Sequence, residues 1–205
     1  MEKNNFKKLD AGCDKYGTQR LELAKYLKKN ILPDLNKDWF LENGTLLGAW
    51  RNGKFIKHDD DFDIAMMIHS IEEAKDLYKI ISEKLINSKY KARLVTTYSL
   101  KIEVFDESYG KYKLISKKYN GSDFHYVTLD IQFYLKDNQL YKKLYYIAPR
   151  KEVFNKDIVL PTRIIKLENE IFNAPSQIEP FLKQTYGSLD ERAVYNPETG
   201  LYEMN

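Results

Sequence analysis

The sequence predicts an α+β fold in which a mixed sheet is flanked by helices. Apolar residues recur at helical spacing in some stretches, and other stretches are rich in strand-forming side chains. Helices are predicted over residues 18–30, 71–86 and 177–186, and strands over residues 39–41, 61–64, 92–98, 101–105, 113–116 and 124–134. The 205 residues contain no internal repeat, low-complexity tract or linker-like segment, so we expect one domain over residues 1–205.

Two amphipathic helices are predicted in the N-terminal half. Residues 18–30 carry an apolar stripe, and Pro33 ends the pattern. Residues 71–86 show the clearest helical spacing in the chain. Ser70 and Glu73 form a capping box at the start of this second helix. We therefore expect it to pack behind the strand that precedes it.

The middle of the chain is predicted to be mostly β-structure. Residues 92–98, 101–105 and 124–134 are rich in β-branched and aromatic side chains, and turn signals separate the later strands. A last helix over residues 177–186 is closed by Gly187 and forms a C-terminal helical extension of the fold.

Composition excludes several classes of protein. A hydrophobic content of 43% and a charged content of 31% are those of a soluble globular protein. The net charge of +3 is spread along the chain, without the concentrated basic patch typical of nucleic-acid-binding proteins. The single cysteine, Cys13, excludes an intramolecular disulfide and a cysteine-based zinc site. We expect a cytoplasmic protein, because the sequence shows neither an apolar signal segment nor a membrane-spanning run.

Residues 59–66, DDDFDIAM, alternate carboxylates with apolar side chains from Asp61 onward. In an extended strand Asp61 and Asp63 would project from one face while the neighbouring apolar residues enter the core. Two close carboxylates stay ionised together only when a cation lies between them. Oxygen ligands suit Mg²⁺ or Mn²⁺, which also binds substrate phosphates. The pattern therefore predicts metal-dependent phosphoryl or nucleotidyl transfer; the alternative is a solvated acidic loop.

A third carboxylate, Asp130, lies in the apolar and aromatic run VTLDIQF. An unpaired charge in a buried strand is costly, so Asp130 needs a partner. We predict that this partner is the metal held by Asp61 and Asp63, which makes Asp130 the third carboxylate of the site. The alternative is an ion pair with a nearby Lys or Arg at a sheet edge.

Residues 44–63 carry a family resemblance. They read GTLLGAWRNGKFIKHDDDFD. This segment is similar, without gaps, to the hallmark of the LicD/fukutin family of phosphotransferases, roughly GTLLGxxRHxxFIPWDDDID. Asn52 stands where the family usually has His, and Lys57-His58 stands where it has Pro-Trp. The C-terminal helix adds a second, less specific match, so the motif-bearing core covers about residues 19–188.

The resemblance implies a nucleotidyltransferase-like fold with a sheet of the polymerase-β palm type. It implies transfer of a phosphorylated alcohol from a CDP-linked donor to a hydroxyl of a cell-surface glycan, with CMP as the leaving group. The alcohol would be choline, ethanolamine, ribitol or glycerol. In such a site Asp61 and Asp63 would bind Mg²⁺ or Mn²⁺. Asp130 would bind a second metal ion or accept the proton of the attacking hydroxyl.

Further residues of the motif are candidates for substrate contact. Gly44 and Thr45 are interpreted as a small-residue turn that lets main-chain N–H groups and a hydroxyl approach a phosphate. Arg51 is predicted to clamp a phosphate, because its planar guanidinium suits bidentate contact. Asp59 and His58 are expected next to the site, with Asp59 fixing the loop or touching the metal.

Two other functions are consistent with parts of this pattern. The same carboxylates serve a nucleotidyltransferase that places an NMP from an NTP on a small hydroxylated molecule, and pyrophosphate release would distinguish it. A catalytically silent module that binds nucleotide or glycan is the second alternative. The clustered carboxylates argue against that module, because they are expensive to keep together without a metal.

Overall fold

The computed structural model describes residues 12–113, 123–146 and 152–204. The helices of these ranges are α1 (Cys13–Asn30), α2 (Leu32–Leu35), α3 (Asn43–Asn52), α4 (Ile71–Leu85), α5 (Lys156–Val159) and α6 (Ile178–Tyr186). The strands are β1 (Trp39–Leu41), β2 (Asp63–Ile68), β3 (Tyr90–Val95), β4 (Lys101–Asp106), β5 (Lys111–Lys113), β6 (Asp123–His125), β7 (Thr128–Asp137), β8 (Leu140–Lys143), β9 (Val153–Asn155), β10 (Arg163–Leu167), β11 (Glu170–Ala174), β12 (Val194–Asn196) and β13 (Leu201–Glu203).

The central sheet has the strand order β1-β2-β7-β4-β3, and β8 and β9 extend it from β7. Strands β2 and β7 are parallel, whereas the other described neighbours in this sheet are antiparallel. Helix α1 contacts β7, and α4 contacts β3 and β2. This mixed sheet with flanking helices confirms the predicted α+β, nucleotidyltransferase-like fold class.

The predicted helices are confirmed as α1, α4 and α6, with α1 beginning at Cys13 rather than near residue 18. Pro33 lies in the first turn of the short helix α2, where its missing N–H costs no intrahelical hydrogen bond. The Ser70 hydroxyl accepts the Glu73 N–H at 3.2 Å and caps α4 as predicted. In the parts of the chain that the structure describes, no helix is long and apolar enough to cross a bilayer.

The strand predicted over residues 124–134 is divided in two, because the chain bends at Tyr126 between β6 and β7. The Tyr126 carbonyl accepts hydrogen bonds from Nε and Nη2 of Arg20 at 3.0 and 2.6 Å. Arg20 is fully buried in α1, so this carbonyl is satisfied by a helix side chain. Of the strand predicted over residues 113–116, β5 contains only the first residue, and residues 114–116 lie outside the described ranges.

The small-residue turn predicted at Gly44-Thr45 is wrong, because both residues belong to the first turn of α3. The Leu46 N–H donates to the Glu42 carbonyl at 2.9 Å and starts the helix. Leu46 and its apolar neighbours are buried in the core, and this tertiary burial outweighs the low helix propensity of glycine. The helix ends at Gly53, whose φ of 66° lies in the left-handed region.

After α6 the chain forms a hairpin of β12 and β13, which the sequence did not predict. It follows Gly187, whose φ is 81°. The Ser188 N–H donates to the Tyr202 carbonyl at 2.8 Å and fixes the hairpin against the end of α6. A Cβ on residue 187 would lie 2.6 Å from that same carbonyl oxygen, so this contact requires glycine.

Two glycines inside helices provide a test of the packing. In α3 a Cβ on Gly48 would lie 2.4 Å from the Lys54 carbonyl oxygen, whereas in α1 a Cβ on Gly17 would find ordinary contacts at 3.5 Å and beyond. We expect Gly48→Ala to lower the free energy of unfolding by roughly 1–3 kcal/mol through overpacking. Gly17→Ala should raise it by up to about 1 kcal/mol through helix propensity. Urea denaturation of both variants measures the difference, and equal changes of the same sign would contradict the packing at Gly48.

Candidate active site

Three carboxylates meet where β2 and β7 run side by side. Asp63 and Asp130 are direct partners in the parallel register of these strands, and Asp61 lies two residues before Asp63. One oxygen of each of the three carboxylates lies within 4.8 Å of the others. Phe62, between Asp61 and Asp63, is fully buried. The structure therefore brings together the three predicted residues, although the strand predicted from residue 61 begins only at Asp63 and Asp61 lies in a bend before it.

The electrostatics of this group favour a bound cation. Burial, followed by the charges of Asp63 and Asp60, raises the pKa of Asp61 well above its usual range. Burial and then the charge of Asp130 do the same to the pKa of Asp63. Burial raises the pKa of Asp130 to about 6, although Lys101 opposes this shift. Because repulsion and desolvation disfavour the ionised forms, the three oxygens are a fitting ligand set for a hard divalent cation.

Asp130 also has a charged partner that the sequence did not reveal. The Lys101 ammonium from β4 contacts the Asp130 carboxylate and lies 3.0 Å from Oε1 of Glu103. Burial lowers the pKa of Lys101, but Asp130 and Glu103 outweigh burial and leave that pKa well above its ordinary value. Thus Asp130 combines both readings of the sequence: it lies among the metal-binding candidates and also pairs with a lysine, on a central rather than an edge strand.

A second buried ion pair acts electrostatically on Asp63. The Lys143 ammonium contacts the carboxylate of Glu42, which also accepts the Tyr134 hydroxyl. Oδ1 of Asn43 accepts a further hydrogen bond from Lys143 at 3.0 Å. Although burial lowers the pKa of Lys143, the charges of Glu42 and Glu152 outweigh it and raise that pKa. Lys143 is therefore a buried, charged ammonium group beside the three carboxylates.

Asp59 and Asp60 form a further acidic group with Asp61, again with oxygens within 4.8 Å. The Tyr112 hydroxyl donates to Oδ2 of Asp60 at 2.9 Å. Asp59 packs against Gly44: a Cβ on that glycine would lie 2.5 Å from Oδ2 of Asp59. This oxygen has no hydrogen-bond partner among the described residues, and burial followed by Asp60 raises the Asp59 pKa to about 7. Gly44 thus leaves room for the Asp59 carboxylate.

The remaining predicted residues lie in other surroundings. The buried Thr45 hydroxyl accepts the Asp63 N–H at 3.0 Å and so fixes the start of β2. Arg51 donates to the Leu189 carbonyl at 3.0 Å and does not line the site. His58 is exposed in the turn before the acidic loop. The structure therefore gives Thr45 and Arg51 positioning contacts, and it does not bring Arg51 or His58 to the carboxylates.

The carboxylates form the floor of a cavity of about 420 Å³, a size typical of small-molecule sites. Its charged lining consists of Asp60, Asp61, Asp63, Glu103, Asp130, Glu152, Lys101 and Lys143, so carboxylates outnumber lysines by four. Its aromatic lining consists of Tyr98, Tyr112, Phe124, His125, Tyr145, Tyr186, Tyr195 and Tyr202. An anionic substrate can enter such a cavity only when cations offset the excess negative charge.

Tyr186 lines the cavity, although from the sequence it was interpreted only as the end of a helix. Burial, followed by the charges of Asp59 and Asp63, raises its pKa well above the usual range, so its hydroxyl stays protonated and can donate. Lys101 and Glu103 follow the same alternation as Asp61 and Asp63, although the pattern alone does not show that they meet Asp130. They alternate with apolar residues in a strand and therefore share one face.

A family model described as LicD/FKTN/FKRP, nucleotidyltransferase domain, matches residues 36–177. The chain belongs to this family. A comparison with curated proteins found no match. Membership of the LicD family indicates a phosphotransferase-type function on glycans, and the segment matched contains Asp61, Asp63 and Asp130.

Removing a carboxylate should have opposite effects at two positions of this site. The charges that shift the pKa of Asp61 are all negative, whereas Asp130 is paired with Lys101. In EDTA we expect Asp61→Asn to raise the melting temperature by roughly 2–4 °C for each kcal/mol of relieved repulsion. Asp130→Asn should instead destabilise the protein by about 1–3 kcal/mol. Differential scanning fluorimetry without metal checks both signs, and a destabilised Asp61→Asn protein would contradict the proposed repulsion.

Arg51 should hold the segment after α6 in place. Its guanidinium bonds to the Leu189 carbonyl, next to the start of that segment. We expect Arg51→Ala to speed amide exchange of residues 187–204 by roughly 2- to 13-fold, the effect of a hydrogen bond worth about 0.5–1.5 kcal/mol. Hydrogen-exchange mass spectrometry measures this, with Arg163→Ala on an exposed strand position as the control. Equal exchange in both variants would show that Arg51 does not anchor the segment.

Proposed function

We propose that this protein is a metal-dependent transferase that moves a phosphorylated alcohol from a CDP-linked donor to a hydroxyl of a glycan. The observation that carries the proposal is the Asp61–Asp63–Asp130 cluster on the floor of a cavity with excess carboxylates. Family membership supports transfer of a phosphorus-containing group to a glycan. The CDP carrier and the alcohols named from the resemblance, choline, ethanolamine, ribitol and glycerol, belong to the proposal.

The metal of this proposal is Mg²⁺ or Mn²⁺, held by Asp61, Asp63 and Asp130. The fit rests on the closeness of their oxygens and on the raised pKa values of these buried groups, which repel one another. When bound, the ion would neutralise charge on the transferred phosphoryl group and on the leaving phosphate.

The reaction is an in-line displacement. The oxygen of the acceptor hydroxyl attacks the phosphorus that carries the alcohol, the bond from that phosphorus to the bridging oxygen breaks, and CMP leaves. Asp130 keeps the two roles that the sequence left open: it holds metal with Asp61 and Asp63, or it accepts the proton of the acceptor hydroxyl. Lys101 keeps the Asp130 carboxylate oriented through their ion pair.

Other charged and polar groups of the cavity have supporting roles in this scheme. The Lys143 ammonium, held by Glu42 and Glu152, supplies fixed positive charge for a phosphate oxygen. The protonated Tyr186 hydroxyl supplies a donor close to Asp63 and Asp59. These groups are already ordered by their neighbours, so binding substrate requires little reorganisation.

Donor-dependent release of CMP tests the function. The full chain would be incubated with each of the four CDP-linked alcohols and Mg²⁺ or Mn²⁺, and CMP would be measured by chromatography. We expect metal-dependent release with one donor and a rise in melting temperature on binding it. Asp61→Asn should lower turnover by at least roughly 100-fold. Removing a residue that only supports a metal ligand already costs about 10- to 100-fold, and removing the ligand itself should cost more. Asp76→Asn, on the exposed side of α4, is the matched control.

Several outcomes would contradict the proposal. Full turnover by Asp61→Asn would remove the assigned site. Stabilisation by ATP or GTP with release of pyrophosphate would indicate nucleotidyl transfer instead. Failure of every nucleotide to stabilise the protein, with and without metal, would contradict both reactions.

A further inference from the structure

The hairpin of β12 and β13 presents two tyrosines to the cavity. Tyr195 and Tyr202 are direct cross-strand partners, and their ring centroids lie 5.5 Å apart in an edge-to-face arrangement. Both side chains line the cavity but remain 48% and 41% exposed. This two-tyrosine face is therefore an accessible aromatic surface at the cavity mouth.

The tyrosine face leads directly to the carboxylates. The Tyr202 ring lies 6.3 Å from the ring of Tyr186, and the charges of Asp59 and Asp63 act on the Tyr186 hydroxyl. The three rings thus form a path from solvent to the floor of the cavity. A group that stacks on Tyr202 therefore lies in the same cavity as Asp63.

The chemistry of this face favours an uncharged ring with aliphatic C–H groups. The face of a tyrosine ring carries partial negative charge, which attracts the weakly positive C–H groups on the flatter side of a pyranose. Within the described hairpin, the residues that line the cavity are Tyr195, Gly200 and Tyr202, none of which is charged. Glu203 is paired across the strands with Val194, at the alternate positions that point to the opposite face. A phosphate or carboxylate would find no cation on this hairpin face.

A second aromatic wall lies on the other side of the floor. Tyr112 and Phe124 stack with centroids 5.9 Å apart, and Tyr112 donates to Asp60. Their hairpin, β5 and β6, is attached to the β4–β3 side of the sheet, where His125 stacks on Phe105. Helix α6, which precedes the tyrosine face, packs on β1 at the opposite edge. In-line displacement requires the acceptor and the leaving group to approach from opposite sides, so the two walls can serve different substrates.

We propose that Tyr195 and Tyr202 form the platform on which a sugar ring of the acceptor stacks. This assignment rests on the proposed transfer to a glycan, and it leaves the β5–β6 wall to the nucleoside of the donor. The platform lies beyond residues 36–177, the segment that the family model matches. The proposal therefore assigns acceptor binding to a part of this chain that the family match does not include.

Sugar binding without turnover tests the platform first. Saturation-transfer-difference NMR would be recorded on the full chain in EDTA with the methyl β-pyranosides of glucose, galactose and N-acetylgalactosamine. We expect transfer to the ring C–H protons of at least one glycoside. The Tyr195→Ala/Tyr202→Ala variant should lose this transfer, whereas Tyr195→Phe/Tyr202→Phe should keep it. Tyr146→Ala, at another exposed tyrosine, should have no effect.

The absence of transfer from the wild-type protein to all three glycosides would overturn the platform. So would transfer that survives the double alanine substitution. Thermal denaturation of each variant verifies that the fold is retained, and the paired phenylalanine variant separates loss of the rings from loss of the hydroxyls.

Kinetics with the best-bound glycoside then distinguish acceptor from donor. We expect Tyr202→Ala to raise the KM of the acceptor roughly tenfold, the scale of one aromatic contact, with the donor KM unchanged. A raised donor KM with an unchanged acceptor KM would show that the hairpin holds the nucleoside and would overturn the assignment. Sugar binding that depends on the two tyrosines, without CMP release from any donor, would support the platform and contradict the transferase.

Discussion

The site depends on the repulsion between Asp63 and Asp130, which face each other across the parallel strands β2 and β7. Burial removes the water that would otherwise screen these charges, so each side chain needs a positive neighbour. Lys101 contacts Asp130, and the charge of Lys143 acts on Asp63. These lysines are themselves held by Glu103 and Glu42, so the protein offsets only part of the negative charge. The remaining negative charge makes this cluster a candidate site for a divalent cation.

A rigid apolar layer makes this arrangement possible. The residues that alternate with the carboxylates, Phe62, Ile64, Leu129 and Ile131, are almost completely buried. The Asp130 N–H donates to the Phe62 carbonyl at 2.8 Å, which extends the ladder of β7 beside the acidic loop. Burial of these side chains stabilises the strands by roughly 1.5–3 kcal/mol per residue, and this gain offsets the cost of holding like charges together. The stability and the function of the site therefore reside on opposite faces of the same strands.

Much of this site could be predicted from local patterns, because Asp61 and Asp63 alternate with apolar residues and Asp130 lies between two apolar residues. Helix α4 was predictable for a similar reason, since its apolar spacing and its Ser70 cap agree. The partners of the carboxylates were not predictable in this way. Arg20, Lys101 and Lys143 meet their partners through strand register and helix packing. Those partners are far away along the chain, so a local pattern cannot identify them. The turn predicted at Gly44 was wrong because glycine next to threonine is typical of turns. Here burial of the leucines that follow favours a helix.

The position of Arg20 shows that residues before the matched segment help to build the site. Its guanidinium donates both to the Asp59 carbonyl in the acidic loop and to the Tyr126 carbonyl before β7. It thereby joins the two segments that carry the carboxylates, although it precedes residues 36–177. Tyr186, which lines the same cavity, lies C-terminal to those residues. Sequence similarity thus marks a shorter unit than the one that builds the site. A chain trimmed to the matched segment would keep every proposed metal ligand and would lose Arg20, whose hydrogen bonds join the segments that carry them.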